Sequence, residues 1–353
     1  MNKQQTVYVG LSGGVDSSVA ALRLKKQGYN VVGVFIKVWH PDFMVCNWET
    51  ERLDAMRVAA HLEIPFLTCD AEAEYRDEVA KYFIEEYQAG RTPNPDVMCN
   101  QYVKFGAFLR FAKERGADFI ATGHYAMRIE GKDGAELHRG IDNSKDQTYF
   151  LWTLSTEQLA SSLFPVGDTT KEEIRLEAEK AGIPIAQKKD SQGVCFLGHI
   201  DIPKFLSHYK KLVSGAVLNE AGEVIGEHKG AFVYTIGQRH GFTIDSANTE
   251  RSVMFVTEKN IDDNTITVSA TKKLTEETSQ IELDKIVLRE QLSIGDTLYA
   301  QFRYRQQPFS VEIISLNENS LIINPKSIVE QPAVGQSCVL YRDSVCVGGG
   351  IIK

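Results

Sequence analysis

None of the six cysteines belongs to a C-x-x-C pair; they fall at Cys46, Cys69, Cys99, Cys195, Cys338 and Cys346. That spacing argues against a structural zinc or a locally ligated iron–sulfur cluster, and no resident metal centre is expected. In a chain of 353 residues it also argues for free thiols in a reducing cytoplasm rather than a disulfide framework. Long hydrophobic runs are missing too, none approaching the ~18–20 residues that span a bilayer. The opening residues Met1-Asn2-Lys3-Gln4-Gln5 are polar, and strand-like residues follow at once, so neither a secretory signal nor an Arg/Ser-rich transit segment is read here. Positive charge is scarce: the formal net charge is -8, which argues against a basic protein that coats nucleic acid. It leaves room for binding through local basic patches, because the field near a groove is set locally. There is no internal repeat, coiled coil or low-complexity linker.

Two textures are present instead. Through roughly the first two hundred residues, short apolar runs (Val7–Leu11, Val31–Val38, Phe66–Cys69, Phe119–Gly123) alternate with helical patterns (Ser17–Gln27, Thr50–His61, Asp77–Ala89, Val103–Arg115). Such alternation predicts an α/β domain with a doubly wound parallel sheet covered on both faces, its ligands at the carboxyl ends of the strands. After about Asp201 the pattern becomes β-rich: a hairpin over 217–226, then runs at 253–256, 265–268, 296–304, 309–314, 321–323 and 338–341, punctuated by Asp262-Asp263-Asn264 and Asn317-Glu318-Asn319. The division expected is 1–205, 206–270 for a small central domain, and 271–353 for a C-terminal β-barrel. Gly348-Gly349-Gly350 reads as part of a closing barrel strand rather than a phosphate loop.

The most informative stretch is TVYVGLSGGVDSSVAALRL, from Thr6 to Leu24. Gly13 and Gly14 let backbone amides converge on one point, and the helix that follows adds its unpaired N–H groups and positive dipole end. The result is an anion cradle suited to phosphate. A Walker loop would end in Gly-Lys-Ser/Thr, and no lysine lies within this loop.

Two cysteine-bearing stretches come next. In Gly90-Arg91-Thr92-Pro93-Asn94-Pro95-Asp96-Val97-Met98-Cys99-Asn100, two prolines and an asparagine make a stiff extended loop ahead of a helix. A carboxylate stands three residues before a thiol placed near a helix N-terminus, a setting that favours thiolate. In Lys188-Lys189-Asp190-Ser191-Gln192-Gly193-Val194-Cys195-Phe196, two lysines precede the thiol. Cys69, Cys338 and Cys346 lie on strand-like runs and read as small buried hydrophobes. For Cys99 and Cys195 the residues alone leave both readings open, and Cys46 is undecided. Arg303-Tyr304-Arg305 offers guanidinium for phosphate and an aromatic ring for stacking, against the plainer reading of a solvated strand face.

The glycine loop resembles the SGGxDS signature of the PP-loop ATP pyrophosphatase superfamily. With GRTPNPDVMCN, ATGHY, KDQTYFL, KKDSQGVCF, GEHKG, TIGQRHG and CVGGGII, taken in order along the chain, the sequence resembles the bacterial tRNA-specific 2-thiouridylase family. The resemblance implies ATP as co-substrate with Mg²⁺, and a transfer RNA whose wobble uridine is thiolated at C2 after adenylation of its oxygen. It implies a persulfide donor protein as partner, and no membrane association. By the same resemblance Cys195 carries the persulfide, Cys99 is the nucleophile that pairs with it in a disulfide, and Asp96 is a general acid/base. Nucleotide contacts fall on Gly10, Leu11, Ser12, Gly13, Gly14, Val15, Asp16 and Ser17, with Ile36 and Gly123 near the adenine; Asp16 is the candidate for the Mg²⁺ or phosphate shell. The flipped base meets Asn94, Pro95 and Asp96. Transfer-RNA contacts fall on His124, Lys145, Asp146, Gln147, Arg303, Tyr304 and Gln336. KVWHPDFMVCNW after Ile36, and Leu197-Gly198-His199-Ile200-Asp201, depart from the family pattern. An amidating PP-loop enzyme would need no paired cysteines, and a thiolase with an iron–sulfur cluster would need C-x-x-C pairs.

Overall fold

The computed structural model describes residues 4–44, 48–190, 198, 201–245, 253–275 and 279–353. Cys46 and Cys195, and with them the expected Cys99–Cys195 pairing, lie outside the described residues.

The strands of the first part are β1 (Thr6–Gly10), β2 (Asn30–Lys37), β3 (Phe66–Asp70), β4 (Phe119–Ala121), β5 (Ala126–Gly131), β6 (Gly134–Arg139) and β7 (Ser162–Leu163). Five of them form a parallel sheet in the order β3-β2-β1-β4-β7. Helices α1 (Val15–Lys26) and α2 (Trp48–His61) follow β1 and β2. Side chains alternate between the two faces of the sheet. Val7, Val9, Val31 and Phe35 join a core with α1, α2 and the Lys171–Lys180 helix. Tyr8, Val32, Val34 and Ile36 join a second core with Val97, Cys99, Phe105 and Phe108. Strands buried on both faces need continuous apolar runs, which is how β1 and β2 appear in the sequence. The chain order reverses at β1, between β2 and β4, and the glycine loop leaves the carboxyl end of β1, where ligands of such sheets bind.

The central strands form a five-stranded sheet in the order Phe242–Ile244, Val224–His228, Gly215–Leu218, Thr265–Ser269, Phe255–Asn260. The C-terminal strands run Ile281–Leu288, Ser320–Pro325, Phe309–Leu316, Thr297–Gln301, Ser337–Arg342, Val345–Ile352 and then back to Ile281–Leu288, closing a six-stranded barrel. Closure removes the sheet edges that would invite aggregation. The triple glycine lies in the last barrel strand. The β5–β6 hairpin, though early in the chain, joins the outside of this barrel through His138 and Val345. Arg139 extends that link, donating to Gln301 Oε1 at 3.1 Å and lying 3.6 Å from the centre of the Tyr341 ring. Among the described residues no helix is long and apolar enough to cross a membrane.

Candidate active site

The nucleotide loop is fixed by its own hydroxyls. Ser12 N–H donates to Ser17 Oγ at 3.3 Å, while Ser17 and Ser18 hydroxyls donate to Gly14 O at 3.1 and 2.8 Å. Gly13 adopts φ +70°, and a Cβ there would stand 2.6 Å from Glu51 O on α2. Gly14 caps α1 without a side-chain hydrogen bond, so the first-turn amides are left for a ligand. Gly123 lies against the same turn, where a Cβ would meet Ser17 N at 2.6 Å. Gly10 and Ile36 come together: the Cβ position of Gly10 is 3.6 Å from Ile36 and 3.5 Å from Phe108. Leu11 and Val15 point into the core beneath the loop.

Asp16 lies at the mouth of the cradle and is heavily engaged. It accepts from Tyr125 Oη at 2.7 Å and from Lys171 Nζ at 2.6 and 2.8 Å. Burial and then the Asp16 charge raise the Tyr125 phenol, keeping it a donor. Lys171 also reaches Asp190 Oδ1 at 2.8 Å, and Asp190 takes Lys145 at 2.9 Å and Arg175 at 2.5 Å. Burial raises the Asp190 carboxyl, but hydrogen bonds and charge from Lys171 and Lys145 outweigh it and hold the group at about 2. Fit to a divalent cation is favourable in its donor: Asp16 is a half-exposed hard oxygen ligand beside unpaired backbone amides.

The second element of the site is the 90–100 loop. Asn94 caps a helix with Pro95 in its first turn, its Oδ1 accepting from Val97 N at 3.4 Å. The helix continues through Cys99–Ala107, wound in wider π-type turns, to Phe108–Lys113. Pro95 and Asp96 are half-buried and Asn94 is buried. Cys99 is fully buried in the core that also holds Ile36 and Phe108. Three partners fix the loop from outside: Thr92 N–H donates to Val334 O at 2.8 Å, Gln336 Nε2 donates to Thr92 O at 2.9 Å, and the Thr92 and Thr235 hydroxyls pair at 3.1 Å. The barrel and the central domain both hold it in place. Cys69, Cys338 and Cys346 are buried on strands. Burial raises all three thiols, Cys69 to about 12, so they stay protonated and inert.

Residues 5–199 match the family described as tRNA methyl transferase HUP domain, 203–270 the tRNA methyl transferase PRC-barrel domain, and 285–352 the aminomethyltransferase beta-barrel domain. The chain is 42% identical to tRNA-specific 2-thiouridylase MnmA 2 of Aliarcobacter butzleri, covering 100% of this chain and 99% of the relative. It is 43% identical to tRNA-specific 2-thiouridylase MnmA of Proteus mirabilis (100% and 98% covered), and 42% identical to that of Staphylococcus epidermidis (99% and 96%). The chain belongs to the tRNA-specific 2-thiouridylase family.

Within this 2-thiouridylase chain the expected RNA contacts divide. Arg303 is exposed and ion-paired with Glu330; Tyr304 is half-buried on Phe150, ring centres 4.6 Å apart. The strand expected to run through Tyr304 stops at Gln301, because Arg305 takes φ +63° in a turn, so the Arg-Tyr-Arg group sits on a loop. Lys145 is half-buried on Asp190. Gln147 accepts the Tyr125 N–H at 3.0 Å and Gln336 faces the 90–100 loop. Asp146 and His124 are buried. Asp146 accepts from Arg139, Gly140 N–H and the Thr148 backbone and hydroxyl, which is the work of a structural anchor. His124 pairs through Nδ1 with Thr122 at 2.7 Å, and burial, then the Lys104 charge, hold it neutral.

Sequence reasoning missed Lys171, Tyr125 and Asp190 as site residues. A signal for Lys171 existed: Thr170-Lys171-Glu172-Glu173 is a capping box, with reciprocal Thr170 and Glu173 bonds, opening a ten-residue helix. A lysine in a first turn opposes the helix dipole and invites a search for its counter-charge.

Proposed function

We propose that the chain is a tRNA-uridine 2-sulfurtransferase acting on the wobble uridine with ATP and Mg²⁺ in the cytoplasm. The C2 oxygen of the base attacks the α-phosphorus of ATP; the bond to the bridging oxygen breaks and pyrophosphate leaves with the electron pair. The outer sulfur of a persulfide on Cys195, supplied by a donor protein, attacks C2, and AMP departs with the former carbonyl oxygen. Cys99 thiolate then attacks the inner sulfur, releasing the thiocarbonyl and leaving a Cys99–Cys195 disulfide that a reductant must reopen. Asp96, beside the base, moves the proton. Asn94 and Pro95 line the base, and flipping is cheaper in an anticodon loop than in a duplex.

Mg²⁺ would be held by Asp16 and would neutralise charge on the leaving phosphates. The chain's own contribution there is the ring of amides from Gly13 to Ser17, which orients the polyphosphate.

The observation that carries this reading is the approach of the thiol helix to the strand that delivers the nucleotide loop: Phe108, nine residues past Cys99 and in the same core as Cys99 and Ile36, stands 3.5 Å from the Cβ position of Gly10, the last residue of β1. Two of the matched families carry the words methyl transferase, whereas relatives matched over the whole length are named 2-thiouridylases. Anaerobic reaction of the purified protein with ATP, Mg²⁺, a persulfide source, a methyl-sulfonium methyl donor and defined transfer RNA decides between them. Mass spectrometry should show oxygen replaced by sulfur with stoichiometric AMP; a methyl increment, or AMP without sulfur in the RNA, would overturn the assignment.

A further inference from the structure

We infer that Lys171 supplies from a distant helix the phosphate-neutralising cation that the glycine loop itself lacks. This rests on the nucleotide-binding part of the proposed function and names the residue that performs it. Between Gly13 and Ser18 there is no lysine. The structure brings one in from 155 residues away: Lys171 Nζ stands 2.6 Å from Asp16 Oδ1 at the opening of the cradle. Its side chain is only 11% exposed. A buried ammonium needs acceptors for all three protons, and here they go to both oxygens of Asp16 and to Asp190.

Three features fix the ammonium at that point. The Thr170/Glu173 capping box sets the start of the helix, and the Lys171 N–H donates to Asp142 Oδ2 at 3.1 Å. Asp190, itself clamped by Lys145 and Arg175, holds the ammonium from the far side. The helix dipole does not favour a cation at this position, so the carboxylates must retain it. The balance of formal charge is even once Asp142 is included: Asp16, Asp142 and Asp190 against Lys145, Lys171 and Arg175. A polyphosphate entering the cradle adds several negative charges next to Asp16. If Asp16 held a divalent cation that accompanied the nucleotide, the two Lys171 donors now on Asp16 would be free to turn to phosphate oxygens. When the bridging P–O bond breaks, the ammonium stays with the pyrophosphate and stabilises its new charge.

Lys171 faces phosphate beyond the α-position, so its loss should separate ATP from AMP. Binding of each nucleotide to the full chain, with Mg²⁺ and without RNA or a sulfur source, is the direct measurement. Lys171→Met should weaken ATP at least about tenfold and leave AMP within about twofold, and Lys171→Arg should recover most of the loss. The nucleotide-free thermal midpoint reports separately on folding. Asp190→Asn removes one of the carboxylates that hold the ammonium and should move the ATP-to-AMP ratio the opposite way, toward tighter ATP. If Lys171→Met fails to fold, this second variant carries the test alone. An unchanged ATP-to-AMP ratio in either variant, or equal loss of both nucleotides, overturns the inference. Failure of the wild type to thiolate RNA would sink the proposed function and leave this inference standing. Wild-type thiolation with an unshifted ratio in Lys171→Met would do the reverse.

Discussion

Around Asp16 the structure uses formal charge: Lys171, Lys145 and Arg175 converge on two carboxylates within one domain. In the bonds that tie Thr92 to the other two domains it uses none, although the adjacent Arg91 pairs locally with Glu86. There the barrel contributes Val334 and Gln336, the central domain contributes Thr235, and the bonds are amide to carbonyl or hydroxyl to hydroxyl. The contrast suits the ligands proposed for the two ends. A polyphosphate is recognised by charge and by converging amides, and a contiguous loop can supply both. A flipped, uncharged base is recognised by shape and stacking, which require a cavity walled from several directions. Damage to the nucleotide end should therefore register in nucleotide binding, and damage to the base end should spare it.

The largest effects separate the two ends outright. Cys99→Ser and Cys195→Ser should each reduce 2-thiouridine to background in RNA from a depleted strain, measured by mass spectrometry, with ATP affinity unchanged. Normal 2-thiouridine with either variant would remove that thiol from the chemistry. Gly13→Ala strikes the other end. Its left-handed backbone and the 2.6 Å approach to Glu51 O together predict a loss of about 2–4 kcal/mol in stability and a collapse of ATP binding. RNA affinity should fall much less; equal loss of both would mean that the ends are not separable.

The same contrast explains what could be read from the residues alone. SGGVDSS carries its glycines, cap and helix start within seven positions, so β1, the loop and α1 were legible together. Cys69, Cys338 and Cys346 were legible as buried strand residues because apolar neighbours surround them. The capping box around Lys171 marks it as a lysine in need of a counter-charge, but not which one: its partner is 155 positions away, and sequence spacing carries no signal at that range. Asp146 and His124, expected as RNA contacts in KDQTYFL and ATGHY by the resemblance, are each buried with internal partners. The β5–β6 hairpin lacks the strict apolar alternation of a core strand pair, since it covers the barrel with one face and leaves Glu130 exposed.

Acid exposes the charge at the nucleotide end. The Asp190 carboxyl sits at about 2 in the folded chain against an ordinary 3.8, so the folded state binds that proton less readily than the unfolded state. Its contribution is complete above pH ~4 and disappears as the pH falls toward ~2; after discounting for partial exposure it amounts to about 1–2 kcal/mol. Asp190→Asn should flatten the stability-versus-pH curve in that window, as measured by urea unfolding. A curve that keeps its full slope would place the acid sensitivity elsewhere. At the base end the matching change is Gln336→Leu, which strands the Thr92 carbonyl and should cost about 1 kcal/mol. Its effect should appear in the KM for RNA rather than for ATP.

The smallest effect belongs to Arg303, and its neighbour is the reason. The guanidinium is exposed but ion-paired with Glu330, which also takes Lys272. Hydrogen bonds from Lys272 and Arg303 keep the Glu330 carboxyl lowered, so it remains charged at neutral pH. An RNA phosphate must compete with that carboxylate, so the net gain is less than a free arginine would give. Arg303→Ala should weaken RNA binding modestly and reduce the salt dependence by at most about one counterion. Glu330→Gln should do the opposite, tightening binding at low salt and steepening the slope, because both Lys272 and Arg303 then face the RNA unopposed. Titrations of the two variants across a salt series sharpen the comparison. Opposite slopes identify a screened phosphate contact, and parallel slopes show that the RNA crosses the barrel elsewhere.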